Sequence, residues 1–142
     1  MNVFFDTSSL FKLYHRESGT VELMNLFSEV GIEIIYLAEI TKVEFSSVVW
    51  KKCRKNEIDE NLAIQLIQRF DKDSVKFSYV SEGQLLRQKA KGLIGRYWRK
   101  GLRTLDSIQL ASALKVQKRI GIFLTSDKLL SEISQIEGFV VK

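Results

Sequence analysis

Apolar residues in this chain gather into runs of strand length, each separated from the next by stretches with helical spacing. The runs are Val3-Phe4-Phe5, Ile34-Ile35-Tyr36-Leu37, Val75 to Val80, Gly121 to about Thr125, and Phe139-Val140-Val141. Short apolar strands alternating with helices predict an α/β fold: a three-layer sandwich with a central, mostly parallel sheet of about four to five strands flanked by helices. One domain is expected over residues 1–142, long enough to bury a substantial core. Proline is absent, so the helices are expected to run uninterrupted between short turns.

The first strand is expected over 2–5. Leu10, Leu13 and Tyr14, then Val21, Leu23, Met24, Leu26 and Phe27, recur at helical spacing as far as Gly31. A helix over 40–55 follows the second strand, and Asp59 is placed to cap another from about 60 to 71. Ser81 with Gln84 reads as a capping box opening a helix to about Trp98. Thr104 is the expected cap of a helix to about Lys118, and a short helix is expected over 127–134.

Four acidic residues interrupt this apolar pattern. Asp6 ends the run Val3-Phe4-Phe5, and Asp127 closes the run from Ile122 to Ser126. Glu44 has Ile40 one helical turn before it and Val48 one turn after. Asp106 shares a helical row with Leu110 and Leu114. A carboxylate on a buried face costs several kcal/mol unless it is paired or bound to a cation. In open parallel sheets ligands bind beyond the carboxyl ends of the strands, where Asp6 and Asp127 are both expected. The four positions together suggest one polar pocket.

The charge distribution suggests what that pocket meets. The chain carries a net charge of +5. Between Gly83 and Leu105 there is no Asp or Glu, yet Arg87, Lys89, Lys91, Arg96, Arg99, Lys100 and Arg103 all fall there, with Tyr97 and Trp98 among them. A second basic cluster, Lys51-Lys52-Cys53-Arg54-Lys55, follows the helix that bears Glu44. Cations interleaved with aromatic rings suit a polyanion with unpaired bases; a solvated helix face is the competing reading.

Several function classes are excluded. His15 is the only histidine, so no mechanism needing two imidazoles is available within one chain, and Cys/His zinc spacing is absent. Neither GxxxxGK[ST] nor GxGxxG occurs. Cys53 is the only cysteine, which rules out an internal disulfide framework and points to a reducing compartment. No apolar stretch approaches the ~20 residues of a membrane span. With no leader-like N-terminus, the expected address is cytoplasmic.

Four clustered carboxylates repel one another, by about 1–4 kcal/mol per pair at ~4 Å, so such a cluster takes up protons or recruits divalent cations. Hard oxygen donors without histidine favour Mg²⁺ or Mn²⁺. Such an ion keeps several waters, leaving room for a phosphate oxygen and an attacking water. The reaction class that fits is metal-dependent phosphodiester hydrolysis.

Asp6-Thr7-Ser8-Ser9, Thr41-Lys42-Val43-Glu44, Leu105-Asp106-Ser107-Ile108-Gln109-Leu110-Ala111-Ser112-Ala113 and Thr125-Ser126-Asp127 resemble, in order and spacing, the PIN-domain ribonucleases. Length and motif order are similar to the toxin branch, VapC. The resemblance implies a PIN-like sheet and an acidic Mg²⁺ or Mn²⁺ site formed by Asp6, Glu44, Asp106 and Asp127, with Ser8 and Thr125 as supporting hydroxyls. It implies an endoribonuclease that acts as the toxin of a type II toxin–antitoxin pair, forms a homodimer and binds a cognate antitoxin. Arg96, Arg99, Lys100 and Arg103 are then the expected RNA-backbone contacts. Leu23, Leu26 and Phe27 would be either core or partner-facing, and core is the preferred reading. The other function class is a catalytically inactive PIN-like domain that binds nucleic acid without cleaving it.

Overall fold

Val3, Phe4 and Phe5 are completely buried because the strand they form, β1 (Val3–Phe5), lies in the interior of the sheet. The computed structural model describes residues 1–142. After β1 come α1 (Thr7–Phe11), α2 (Thr20–Val30), β2 (Ile35–Ala38), α3 (Thr41–Arg54), α4 (Glu60–Asp73) and β3 (Ser78–Val80). The second half holds α5 (Gln84–Arg96), α6 (Thr104–Lys115), β4 (Ile122–Leu124) and α7 (Lys128–Ile136). The four strands lie in the order β3-β2-β1-β4, and all pairs are parallel.

Alternation along the strands divides the core in two. Val3 and Phe5 face one side with Leu37, Ile122 and Leu124, and pack on Leu10, Phe11, Phe45, Leu66 and Phe70 from α1, α3 and α4. Phe4 and Phe123 face the other side, where they stack at 5.3 Å between ring centres and meet Leu93, Leu110 and Ile133 from α5, α6 and α7. Helices thus cover both faces, as the apolar character of the strands requires. Within α2, Leu23 is buried, and Leu26 and Phe27 pack partly against the core, with Phe27 edge-on to Phe5. No helix is long and apolar enough to cross a membrane.

Departures from the expected elements have local causes. Val75 is 89% exposed: α4 runs on to Asp73 and a 3-10 turn takes Ser74–Lys76, so the third strand is only Ser78–Val80. Ser81 caps nothing, because α5 begins after an extended Gly83 without a side-chain cap. Thr104 is the first residue inside α6, and Arg103 occupies the cap position. Phe139 to Val141 makes a single parallel bridge, Phe123 to Val141, in place of a fifth strand.

Candidate active site

The carboxyl ends of β1 and β4 carry Asp6 and Asp127, and each caps the helix that follows. Asp6 Oδ1 accepts from Ser9 N at 2.9 Å, and Asp127 Oδ1 accepts from Leu130 N at 2.7 Å. Thr125 joins the two: its hydroxyl donates to Asp6 Oδ2 and accepts from the Asp127 amide at 3.1 Å. Ser8 Oγ donates to both Asp6 oxygens at 3.0 and 3.1 Å. Asp6 is 5% exposed. Burial pushes its pKa up to about 6, although the bonds from Thr125, Ser9 and Ser8 act in the opposite direction.

Glu44 and Asp106 approach from α3 and α6, and both line one cleft of about 650 Å³. The Asp106 carboxyl is held above its usual range, first by burial, then by the negative charge of Asp127 and, more weakly, of Glu44; only Arg103 pulls it down. Asp106 therefore feels acids from two other elements of the fold. The four expected residues occupy the same edge of the sheet, linked through Thr125 and through this shared charge.

A buried polar network supports Glu44. Thr7 Oγ1 donates to Glu44 Oε1 at 3.1 Å, and Gln109 Nε2 donates to the same oxygen at 2.7 Å. Gln109 Nε2 also lies 3.1 and 3.2 Å from the hydroxyls of Thr7 and Thr41. Sequence reasoning assigned no role to Thr7, Thr41 or Gln109. The available signal was the position of Gln109, one helical turn after Asp106 on the inner face of α6.

As the side chains stand, no three His, Cys, Asp or Glu residues are grouped as a closed ligand set. Asp6 and Glu44 turn their oxygens onto hydroxyl, amide and backbone donors instead. The donor chemistry nonetheless fits a hard divalent cation, with only carboxylates and hydroxyls present and one cationic neighbour, Arg103, moderating Asp106.

The basic segment is not one surface. Arg103 borders the acidic cleft. Arg96 is paired with Glu137 at 3.0 Å, and Lys100 is paired with Glu132. Arg99 lies over the ring of the exposed Trp98, and Tyr97 is buried with its hydroxyl on Glu137.

The family model described as "PIN domain" matches residues 3–136. The chain belongs to the PIN-domain family. This PIN domain is similar in fold to VapC20 of Mycobacterium tuberculosis, a sarcin–ricin-loop-cleaving toxin. The two share 16% identity, the match covers 97% of this chain and 96% of that one, and the TM-score is 0.69. It is similar to a chain of VapBC2 from Rickettsia felis, solved bound to a promoter DNA fragment, at 12% identity, 100% and 98% coverage and a TM-score of 0.65. A third likeness is to FitAcB of Neisseria gonorrhoeae, at 15% identity, 98% and 95% coverage and a TM-score of 0.64. No curated protein sequence matches it.

Proposed function

We propose that this PIN domain is a Mg²⁺- or Mn²⁺-dependent endoribonuclease and the toxin of a type II toxin–antitoxin pair. The observation that carries the reading is that acids from four elements lie toward the carboxyl edge of a parallel sheet, although no three of them are grouped as a ligand set. Asp6 is tied to Asp127 through Thr125, and Asp106, raised in pKa first by burial, is raised further by the charges of Asp127 and, more weakly, Glu44. Mutual repulsion without a matching set of cations is an arrangement that a divalent ion stabilises.

Asp6, Asp106 and Asp127 would hold the ion, with Glu44 as ligand or as the acceptor that orients a water. A divalent ion bound there supplies a water of lowered pKa and neutralises charge developing at the scissile phosphate. The chain's own residues do the positioning. Ser8 and Thr125 fix the Asp6 carboxylate, and Thr7 and Gln109 fix Glu44 Oε1, so neither acid needs to reorganise as negative charge builds nearby. Arg103 lies beside Asp106 to meet the RNA backbone. Arg99 sits with the exposed Trp98 a few residues away, whereas Arg96 and Lys100 reach RNA only by leaving Glu137 and Glu132.

VapC20, VapBC2 and FitAcB supply the toxin–antitoxin context, and an antitoxin, a homodimer and a cytoplasmic setting follow from the same reading. The decisive experiment is an RNA cleavage assay with Mn²⁺, comparing wild type with Asp106→Asn. Wild type should shorten the RNA only with the metal, and Asp106→Asn should not. RNA retained equally in EDTA and in Mn²⁺, and never shortened, would instead identify a non-cleaving binder. Expression of the wild type alone should arrest growth, and co-expression of the adjacent reading frame should relieve the arrest.

A further inference from the structure

Two clefts flank the acids, and they share residues on α3. The first contains Glu44 and Asp106, with Lys51 and Arg103 on its rim. The second, about 240 Å³, opens beside Ser8 and is lined by Lys51, Lys52 and Lys55. Ser8 donates to both oxygens of Asp6, so the second cleft begins one hydroxyl away from the carboxylate that follows β1. Val48 and Lys51 line both clefts. A path therefore runs from Arg103 and Asp106, past Glu44, along the C-terminal half of α3 to Ser8.

The lysines on this path differ in availability. Lys52 lies 3.0 Å from Glu17 and 3.4 Å from Glu57, with its ammonium over the Phe11 ring. It thereby compensates the two acids that line the second cleft. Lys51, Lys55 and Arg103 are exposed and take part in none of the chain's ion pairs. Lys51 follows Glu44 by two helical turns, roughly 10 Å, and Lys55 follows by one turn more, roughly 6 Å. Cations one turn apart on a helix suit successive phosphates of an extended strand.

We infer that Lys51 on α3 and Lys55 at its C-cap, with Arg103 at the N-cap of α6, form the phosphate track along which single-stranded nucleic acid crosses the acidic site. This rests on the nuclease reading only for what happens at the acids. Free cations on both sides of a carboxylate cluster suit a polyanion bridged to those carboxylates by a divalent ion. An acidic peptide would meet Glu44 and Asp106 with no phosphate to offer.

The test uses the full chain and a fluorescein-labelled oligouridylate, followed by anisotropy in EDTA over a range of salt. Lys51→Ala/Lys55→Ala should bind about tenfold more weakly, and its log–log salt slope should be shallower by about 1.4, the value for two contacts on a single strand. Lys118→Ala/Arg119→Ala removes the same charge just before β4, at the opposite edge of the sheet, and should change affinity less than twofold. Equal weakening in both double variants, or none in the α3 variant, would overturn the track. Labelled poly-glutamate losing tenfold in affinity on Lys51→Ala/Lys55→Ala, while the RNA loses none, would overturn it in favour of an acidic peptide. Cleavage separates the two claims. A wild type that binds as expected but never cuts removes the nuclease reading and leaves the track. A wild type that cuts, with KM unchanged in Lys51→Ala/Lys55→Ala, removes the track alone.

Discussion

The Gln109 side-chain amide donates to Glu44 Oε1 at 2.7 Å and ties α6 to the first turn of α3 at the carboxyl edge of the sheet. An NH₂ group has two hydrogens, yet Gln109 Nε2 lies within bonding distance of three oxygens, those of Glu44, Thr7 and Thr41. Its own Oε1 is buried without a donor. A buried amide with one unpartnered end is retained at a cost in stability, which suits a part in positioning Glu44. Gln109→Leu should therefore lower kcat for RNA cleavage by about 10–100-fold, the usual effect of removing such a supporting bond. KM should move by less than threefold, because Gln109 is 2% exposed and faces no substrate path. Wild-type kcat in this variant, measured alongside its melting curve, would remove the positioning role.

Asp6 sets a pH dependence of stability. Its carboxyl titrates at about 6 in the folded chain against an ordinary 3.8, so the folded state binds this proton more tightly than the unfolded state. The resulting stabilisation is fully present below about pH 3.8 and is lost as pH rises through 6, a change of about 3 kcal/mol in all. The raised Asp106 acts in the same direction. Asp6→Asn cannot lose a proton, so without divalent ions it should be more stable than wild type at pH 7.5, by up to ~3 kcal/mol. The advantage should vanish near pH 4. Urea unfolding of both proteins in EDTA at the two pH values measures the difference, and an advantage that does not change with pH would contradict the assignment.

Divalent ions should reverse that order. A ligand that binds only the folded state stabilises it by about 2.7 kcal/mol at a hundredfold excess over its Kd, or several degrees of melting temperature for a domain of this size. At that excess Mn²⁺ should raise the wild-type melting temperature at pH 7.5 by ~9 °C, and should raise those of Asp6→Asn and Asp106→Asn far less. Ca²⁺ and Na⁺ at matched ionic strength separate specific binding from screening. An equal Mn²⁺ response in all three proteins would show that these carboxylates do not hold the ion.

What the sequence made legible was local. Asp59 caps α4 through Leu62 N at 2.8 Å, as its position before an amphipathic run predicted. The places of Asp6 and Asp127 followed from strand ends in a parallel sheet. Ser81 failed as a cap because Glu82 and an extended Gly83 intervene before α5 begins, and a three-residue spacing cannot report that backbone choice. The Thr7, Thr41, Gln109 and Glu44 network draws on three helices, so no single window of sequence contains it. The basic run was visible only as charge. The pairing of two of its cations, Arg96 and Lys100, with Glu137 and Glu132 more than thirty residues later depends on how the end of α5 and the turn after it sit against α7.

The ring of Phe45 gives the clearest stability prediction, because it follows Glu44 directly on α3 and is seated in the core. Phe45 is fully buried, stacked on Phe70 at 4.3 Å between ring centres, with Tyr14 edge-on at 5.2 Å and Phe11 at 6.0 Å. These rings belong to α1, α3, α4 and the turn after α1, so a cavity at Phe45 cannot close by shifting one helix alone. Phe45→Ala should cost about 3–5 kcal/mol, while Phe45→Leu, which keeps more of the volume, should cost less. Because α3 carries both Phe45 and Glu44, loosening its seat should also move the Glu44 carboxylate away from Gln109. Phe45→Leu should thus lose cleavage activity at temperatures well below its own melting point. Chemical denaturation gives the first quantity, and cleavage rates measured 20 °C below each variant's midpoint (about the margin at which little unfolded chain is present) give the second. A Phe45→Leu protein that is destabilised yet cleaves at the wild-type rate would show that the aromatic cluster holds the fold together without holding Glu44 in place.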